Sequence, residues 1–160
     1  MSTTKFKFIV TGGRGFIGSH FVKRFNEFNF RKLILIDKDE NQLTELNREL
    51  LLLFRKKITD KLSFICSDIN FLDIQEFIIK NNITHYMNFA AIKHVRSEEQ
   101  LESIKYMFST NSKNFLTNKK LPNNHNLKKV FSVSSDKAAD PKSLLGISKK
   151  LWNKDFLNLK

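Results

Sequence analysis

The sequence is poor in the residues that would point to a stapled, secreted or membrane-spanning protein. Its 160 residues include one cysteine, Cys66, two prolines and five glycines. A single cysteine cannot form an internal disulfide, which argues against a disulfide-rich secreted scaffold. The longest apolar runs, such as residues 50–54, fall far short of the ~20 residues that a membrane-spanning helix needs. The N-terminus does not resemble a signal peptide, because a strand pattern begins at residue 5. We therefore expect a cytoplasmic protein with no membrane partner.

Acidic residues are also scarce relative to basic ones. Lys and Arg number 28 against 16 Asp and Glu, which gives a formal net charge of +12. A basic face can bind nucleic acid because counterions are released when it meets phosphates. The lysines are spread along the chain in short pairs such as Lys128-Lys129, and the abundance of Lys, Asn, Phe and Ile also fits an AT-rich coding bias. We expect no nucleic-acid partner; the charge serves solvation or attracts a smaller anion such as a nucleotide.

Five short apolar runs alternate with stretches of helical periodicity. The runs expected to be strands cover residues 5–11, 32–37, 62–67, 85–91 and 129–134. Strands that alternate with helices imply parallel pairing through right-handed crossovers. The sequence therefore predicts one α/β domain over residues 1–160, a doubly wound, Rossmann-like parallel sheet of five strands in the order 3-2-1-4-5. In such a fold, ligands bind at the carboxyl ends of the strands.

Apolar residues three and four positions apart define the helix faces that should be buried. These positions are Ile17, Phe21, Phe25 and Phe28; Leu43, Leu46, Leu50 and Leu53; Ile74, Phe77 and Ile78; Leu101, Ile104, Met107 and Phe108; and Leu144, Ile147, Leu151 and Phe156 in a last helix over residues 143–159. Asp39 or Asn41 is a candidate N-cap for the second helix. Cys66, in an apolar run, is expected to be an inert core residue.

The loop after the first strand is rich in glycine. Residues 11–18 read Thr-Gly-Gly-Arg-Gly-Phe-Ile-Gly and separate a strand from a helix. Gly12 permits the sharp turn, Gly15 lets a pyrophosphate approach the backbone, and Gly18 allows close packing of helix on strand. The helix N-terminus, at Phe16 and Ile17, adds about half a positive charge. The pattern predicts a dinucleotide site, with a flexible structural turn as the alternative.

Two acidic positions follow the second and third strands. A carboxylate at Asp37 accepts hydrogen bonds from the adenosine ribose and repels a 2′-phosphate, which favours NAD over NADP. Lys38 beside it weakens that preference, so NADP stays an alternative. Asp68 and Ile69 stand where this fold usually contacts the adenine, although an aspartate in a loop is more often a turn residue.

Three further segments carry a family resemblance. They are Phe-Ala-Ala-Ile-Lys-His-Val at residues 89–95, Ser-Ser-Asp-Lys-Ala-Ala-Asp-Pro at 134–141 and Leu-Gly-Ile-Ser-Lys at 145–149. Together with the glycine loop, they resemble the extended short-chain dehydrogenase/reductase superfamily. Within it, they are similar to the polysaccharide-biosynthesis group of UDP-N-acetylhexosamine 4,6-dehydratases and epimerases. The resemblance spans essentially the whole chain and implies an NAD or NADP cofactor and a UDP-sugar substrate.

The resemblance also implies roles for individual residues. Ser135 would hydrogen-bond the sugar hydroxyl that is oxidised, and Asp136 and Lys137 would be the acid and base of the elimination. Lys149 would hold the nicotinamide ribose and lower the pKa of the catalytic base. The remaining positions, expected to steady or line the cofactor and sugar pocket, are Asn111, Ala90, Ala91, Lys93 and His94. The alternatives are a surface ion pair for Asp136 and Lys137, and a simple hydrogen-bonding role for His94.

Two departures from the family pattern stand out. Leu145 occupies the place of the tyrosine base in the Tyr-x-x-x-Lys motif, so another residue, such as Asp136, must deprotonate the C4 hydroxyl. Enzymes of this kind also continue into a substrate domain after the lysine helix, whereas this sequence stops at Lys160. We expect an N-terminal half that works with a missing C-terminal half or as a homo-oligomer. The alternative is a non-catalytic dinucleotide-binding remnant or one half of a split enzyme.

Overall fold

Five strands and five α-helices alternate along the described parts of the chain. The computed structural model describes residues 6–54, 59–94, 98–112 and 126–157. The strands are β1 (Lys7–Thr11), β2 (Lys32–Asp37), β3 (Leu62–Cys66), β4 (His85–Asn88) and β5 (Lys129–Ser132). The helices are α1 (Phe16–Lys23), α2 (Glu40–Phe54), α3 (Ile74–Lys80), α4 (Leu101–Ser112) and α5 (Leu144–Leu157). Each expected strand and helix exists. The strand ends differ from the expected ones by up to three residues, and α1 ends five residues before Phe28, the last position of its predicted face.

All five strands run parallel in the order β3-β2-β1-β4-β5. The doubly wound, Rossmann-like fold expected from the sequence is confirmed. Its central strands are nearly continuous apolar runs, as parallel strands covered on both faces require. In β2, residues 33–36 are all buried. The polar residues of β2, Lys32 and Asp37, are at its two ends, where a ligand could contact them.

The chain divides into two compact units. The first comprises residues 1–90 and 122–132, and the second residues 91–121 and 133–160. The whole sheet and α1 to α3 belong to the first unit, and α4 and α5 belong to the second. The core of the first unit packs apolar residues of β1 and β2 against those of α1 and α2, including Val10, Leu35, Val22 and Leu46. No helix in the described ranges is long and apolar enough to cross a bilayer.

The predicted buried face of the first helix is wrong in part. The α-helix ends at Lys23, and a 3₁₀ turn, Arg24–Glu27, follows it. Because this turn changes the periodicity, Phe25 is buried whereas Phe28 is exposed. Ile17, in the open first turn, is exposed as well.

The second helix follows its predicted face more closely. Leu43, Leu46 and Leu50 are buried, but Phe54 takes the place expected for Leu53, which is exposed. Asp39 is the N-cap: its Oδ1 accepts the Gln42 backbone N–H at 3.0 Å. A carboxylate in that position satisfies one of the N–H groups that the first helical turn leaves unpaired.

Three further expectations about burial are wrong. Leu101, in the first turn of α4, is 64% exposed although the periodicity placed it on the buried face. On α5 the buried residues are Leu145, Ser148 and Trp152, whereas Ile147 and Leu151 are exposed. The apolar pattern missed this face because its central residue is a hydrogen-bonded serine. Cys66 is exposed at the end of the edge strand β3 and is not a core residue. The side chain of Phe156 and most of residues 111–126 lie outside the described residues.

Candidate functional site

Two glycines of the first-unit loop are required by close backbone contacts. Gly12 has a φ of +68°, and a Cβ there would lie 2.5 Å from the Ala90 nitrogen. A Cβ on Gly18 would lie 2.3 Å from the Gly12 carbonyl oxygen. A Cβ on Gly15 meets only the Gly12 oxygen, at 3.3 Å. A side chain at Gly15 would therefore require a shift of a few tenths of an ångström in one backbone oxygen, far less than at Gly12 or Gly18, and its absence leaves the backbone open to an approaching group.

The loop presents an uncapped helix N-terminus. Its own hydrogen bonds run from the Gly15 N–H to the Gly12 oxygen at 3.1 Å and from the Ser19 N–H to the Gly15 oxygen at 2.9 Å. No described side chain caps α1 at Gly15, and Phe16 and Ile17 are exposed. The first N–H groups of a helix have no intrahelical partner and carry a partial positive charge. This end of α1 therefore suits a phosphate.

Asp37 is held beside the same loop. The Arg14 backbone N–H donates to its Oδ2 at 3.1 Å, and the Asp39 N–H donates to its Oδ1 at 3.2 Å. Each carboxylate oxygen accepts a second hydrogen bond readily. The carboxylate is thus oriented by the backbone and keeps acceptor capacity for hydroxyl groups.

Asp68 and Ile69 lie after β3, which neighbours β2 in the sheet. The Asp68 carboxylate accepts hydrogen bonds from the Asn70 N–H at 2.9 Å and from Asn70 Nδ2 at 3.0 Å, and so caps a short 3₁₀ turn. Ile69 is buried. The turn role that the sequence offered as an alternative is therefore present, and contact with an adenine stays a prediction.

A buried polar network at the ends of β1 and β4 was missed by sequence reasoning. Asn88 Oδ1 accepts the Thr11 hydroxyl at 2.8 Å and the Ala90 backbone N–H at 3.1 Å. Asn88 Nδ2 lies 3.4 Å from the Ser132 hydroxyl on β5. Burial raises the pKa of the nearby Tyr86 phenol, whose oxygen lies 3.4 Å from Thr11 Oγ1. The sequence did contain a signal for this network: Asn88 ends an apolar strand, and a buried asparagine needs hydrogen-bond partners.

In the second unit, Asn111 fixes the segment that follows β4. Its Oδ1 accepts the Ile92 N–H at 2.9 Å, and its Nδ2 donates to the Ile92 oxygen at 3.0 Å. The same Nδ2 donates to the Ser148 hydroxyl at 3.0 Å. Asn111 therefore connects this segment to α5, which carries Lys149. Ala91, Lys93 and His94, which flank or follow Ile92 in the sequence, are exposed.

Glu98 makes a second connection that the sequence did not indicate. Its Oε1 accepts the Leu145 backbone N–H at 2.9 Å, in the first turn of α5. A carboxylate is favourable at a helix N-terminus. Ile92 and Glu98 are thus each held by hydrogen bonds within the second unit.

Ser135, Asp136 and Lys137 form a turn packed against the start of α5. The Asp136–Ala138 segment is a 3₁₀ turn, and a Cβ on Gly146 would lie 2.6 Å from the Lys137 carbonyl oxygen. Gly146 therefore allows α5 to pass directly beside this turn. The side chains of all three residues are exposed, and those of Asp136 and Lys137 form no ion pair among the described residues. The Lys137 N–H instead donates to Asp136 Oδ1 at 2.9 Å.

Lys149 is partly buried one turn after Leu145. Burial lowers its pKa to about 8, because desolvation disfavours the ammonium form. Leu145 is only 2% exposed and offers no proton. The second unit thus gathers the Asp136 turn, Lys149 and Asn111, whereas the first unit gathers the glycine loop, Asp37 and Ala90. No cluster of potential metal ligands occurs among the described residues.

The model of the polysaccharide biosynthesis protein family matches residues 8–160. The chain belongs to this family. Among characterised relatives, a bifunctional UDP-glucose and UDP-xylose 4-epimerase of Pisum sativum is 29% identical over 86% of this chain and 39% of its own length. A UDP-glucose 4-epimerase of Dictyostelium discoideum is 32% identical over 84% of this chain and 38% of its own.

A solved structure shows the same fold. The UDP-glucuronic acid 4-epimerase of Bacillus cereus, in complex with a UDP-sugar analogue and NAD, superposes with a TM-score of 0.65 at 18% identity. The superposition covers 96% of this chain and 52% of the epimerase. This member of the polysaccharide biosynthesis family therefore spans about two fifths of the length of the curated relatives that it matches.

Proposed function

We propose that the chain is the dinucleotide-binding portion of an NAD-dependent nucleotide-sugar dehydratase or epimerase of polysaccharide biosynthesis, with NADP as the alternative cofactor. One observation carries the proposal. The N-terminus of α1 at Gly15 has no cap from a described side chain, and the Asp37 carboxylate is held beside it by a hydrogen bond from the Arg14 N–H. An open helix N-terminus beside an oriented carboxylate suits two adjoining parts of an adenosine diphosphate, its phosphates and its ribose. Family membership and the epimerase relatives agree with it.

The residues of the first unit fit the cofactor. The backbone N–H groups of Phe16, Ile17 and Gly18 would receive the pyrophosphate, and Asp37 would accept the ribose hydroxyls. Asp68, Ile69 and Ala90 would lie along the adenine and the nicotinamide portions. When bound, NAD would accept a hydride from a sugar carbon and later return it to the sugar.

The second unit would carry the proton transfers of a dehydratase. Ser135 would donate a hydrogen bond to the C4 hydroxyl. Because Leu145 has no proton to exchange, Asp136 would take the proton of that hydroxyl and pass it to the C6 hydroxyl, which leaves as water. Lys137 would remove the C5 proton and return it once the double bond is reduced. The Lys149 ammonium would stabilise the negative charge that develops on the sugar oxygen.

Glycine substitutions test cofactor binding with a matched control. Gly15→Val places a branched side chain where phosphates would lie, while its Cβ meets only one atom within 3.4 Å. Gly13→Ala adds a Cβ at ordinary contact distance, 3.5 Å from Leu35 Cδ2. We expect calorimetry to detect NAD binding by the wild type and by Gly13→Ala, and none by Gly15→Val. Equal affinity of the two variants would show that the loop does not hold the phosphates.

Leu145 favours a second candidate, a dinucleotide-binding unit without catalytic activity of its own. Its burial leaves the position of the usual tyrosine base with a packing role. Incubation of the NAD-loaded chain with UDP-N-acetylglucosamine separates the two candidates. Formation of a 4-keto-6-deoxy sugar or a C4 epimer supports the enzyme, and tight NAD binding without turnover supports the second candidate.

A further inference from the structure

The amino ends of the strands form a row of cations that the linear sequence conceals. The parallel register places Lys7 opposite Lys32, and His85 opposite Lys129. Lys61 directly precedes β3 at one side of the row, and Lys128 precedes β5 at the other. Neighbouring strands lie about 4.8 Å apart, and like charges opposite one another destabilise a sheet. We call this row, Lys61, Lys32, Lys7, Lys128 and Lys129, the basic edge.

No carboxylate in the described part of the chain forms an ion pair with a lysine of the basic edge. Lys7 Nζ donates to the Asn81 carbonyl oxygen at 3.0 Å, and Lys32 Nζ donates to the Asp60 carbonyl oxygen at 3.5 Å. Both acceptors are main-chain atoms, so the positive charge remains. The described ion pairs of the first unit involve other cations, Lys23, Arg24 and Arg48. The pKa of His85 lies below its ordinary value, mainly because the ring is partly buried and secondly because Lys129 and Lys128 are nearby cations. The effect of the two lysines is consistent with a positive local potential.

Exposed apolar side chains lie at the same end of the first unit. In a parallel α/β fold the crossover helices run antiparallel to the strands, so α1, α2 and α3 end near the strand starts. Phe28 follows the 3₁₀ turn after α1 and is 54% exposed, Leu52 in the last turn of α2 is 81% exposed, and Ile79 at the end of α3 is 41% exposed. Phe6, immediately before β1, is 40% exposed. Apolar and cationic groups on one surface are typical of proteins that bind the membrane interface.

We propose that the basic edge and its neighbouring apolar residues dock the first unit on the surface of a bilayer rich in anionic lipids. The lysines would lie at the phosphate groups, and Phe28, Leu52 and Ile79 would enter the headgroup region. This would be peripheral binding, which requires no membrane-spanning helix. The glycine loop follows the opposite ends of the strands, so docking would leave the proposed cofactor site accessible.

Single-stranded nucleic acid fits this surface less well. Such ligands stack their bases on open aromatic faces. Lys128 Nζ lies 5.5 Å from the centre of the Phe6 ring, and the His85 ring meets Phe6 at 5.2 Å. One face of the Phe6 ring is therefore covered by a cation. The Phe28 ring is the second aromatic group of this surface and packs against Phe25 at 5.7 Å between ring centres, whereas Leu52 and Ile79 are aliphatic. A lipid surface uses both cationic and apolar groups.

Vesicle sedimentation tests the proposal on the full 160-residue chain. The charge variant is Lys128→Glu/Lys129→Glu, and its matched control is Lys150→Glu/Lys154→Glu, which reverses two exposed lysines of α5. We expect wild type and control to bind phosphatidylcholine vesicles only when phosphatidylglycerol is present. The charge variant should bind at least about tenfold more weakly, since each cation near such a surface contributes about a fivefold factor. Unchanged thermal unfolding by circular dichroism confirms that the variants fold.

A second pair of variants tests the apolar contribution. Leu52→Ser removes an exposed side chain of the proposed surface, and Leu101→Ser removes a comparably exposed one from α4. Leu52→Ser should weaken vesicle binding severalfold, and Leu101→Ser should leave it unchanged. Equal losses in the Lys128/Lys129 variant and its control would overturn the proposal, because net charge alone would then explain binding. So would binding to a single-stranded oligonucleotide but to no vesicle.

Discussion

The Arg14 backbone N–H donates a hydrogen bond to Asp37 Oδ2 across 3.1 Å and so ties the end of β2 to the glycine loop. The Gly12 N–H donates in turn to the Ile36 oxygen at 3.0 Å. The groups expected to recognise the phosphates and the ribose of an adenosine diphosphate therefore belong to one hydrogen-bonded element. Preorganisation of this kind lowers the entropy that ligand binding would otherwise cost.

Asp37→Asn is expected to relax the preference between NAD and NADP. The amide oxygen still accepts the Arg14 N–H and so keeps β2 tied to the loop, although the amide nitrogen cannot accept the Asp39 N–H. The negative charge that repels a 2′-phosphate is gone. We expect calorimetry to show weaker NAD binding and a Kd ratio that shifts about tenfold towards NADP, the equivalent of about 1.4 kcal/mol. An unchanged ratio would mean that Asp37 does not face the ribose.

Gly18→Ala is expected to destabilise the first unit. The added Cβ would lie 2.3 Å from the Gly12 oxygen and 3.1 Å from Gly13 Cα, and both are backbone atoms that cannot move independently. We expect a loss of about 2 kcal/mol or more in the free energy of unfolding, measured by urea denaturation. Gly13→Ala, whose Cβ meets side chains at 3.5 Å and beyond, should change it by less than about 1 kcal/mol. Similar losses in both variants would contradict the packing role of Gly18.

The sequence predicted the sheet because its signals are local. Each of β1, β2 and β3 is a short apolar run flanked by polar or glycine residues, and alternation with helices leaves few topologies. The buried face of α5 could not be predicted in the same way. It turns Ser148 inward because Asn111, 37 positions earlier, supplies a hydrogen bond, and such long-range pairing leaves no mark in local periodicity.

Parts of the candidate site were equally hidden. The glycine loop was predictable because Gly12 and Gly18 lie so close to other backbone atoms that only glycine fits at these positions. The attachment of Glu98 to the Leu145 N–H was not, because a loop glutamate is ordinarily a solvated residue. The basic edge was obscured for a related reason: its lysines are far apart in sequence, and only the strand register brings them together.

Asn111→Leu is expected to loosen the second unit. The leucine has a similar volume but leaves the Ile92 N–H and oxygen and the Ser148 hydroxyl without the bonds that Asn111 makes. Buried polar groups without partners cost about 1–3 kcal/mol each, so we expect a loss of about 2–4 kcal/mol in urea denaturation. Ser148→Ala removes one of these bonds and spares Ile92, and should cost about 1 kcal/mol. A smaller loss for Asn111→Leu than for Ser148→Ala would refute this assignment.

Lys129→Gln is expected to raise the pKa of His85. Burial is the larger cause of its lowered pKa, and Lys129 is the next. Removal of one neighbouring cation therefore favours the imidazolium, and the pKa should rise yet stay below the ordinary value of 6.5. NMR titration of the ring protons measures the change, with Lys150→Gln as the control for net charge. A fall, or the same rise in the control, would rule out the proximity of Lys129.

Lys149→Met is expected to stabilise the protein at neutral pH. The pKa of Lys149 is about 8 in the folded chain, against an ordinary value of 10.5. At pH 7 the folded state therefore holds a partly buried ammonium, whose desolvation the methionine avoids. One pKa unit corresponds to about 1.4 kcal/mol, and we expect a gain of about 1–3 kcal/mol in the free energy of unfolding.

The pH dependence of this gain distinguishes desolvation from better packing of methionine. Between pH 8 and pH 10.5 the unfolded wild type binds a proton at Lys149 that the folded state has released, so wild-type stability rises with pH relative to the variant. The gain should shrink across that window in paired urea denaturations of the two proteins. Lys150→Met, at an exposed neighbouring position, should show no such dependence. A gain that stays constant with pH would show that the Lys149 ammonium is not desolvated.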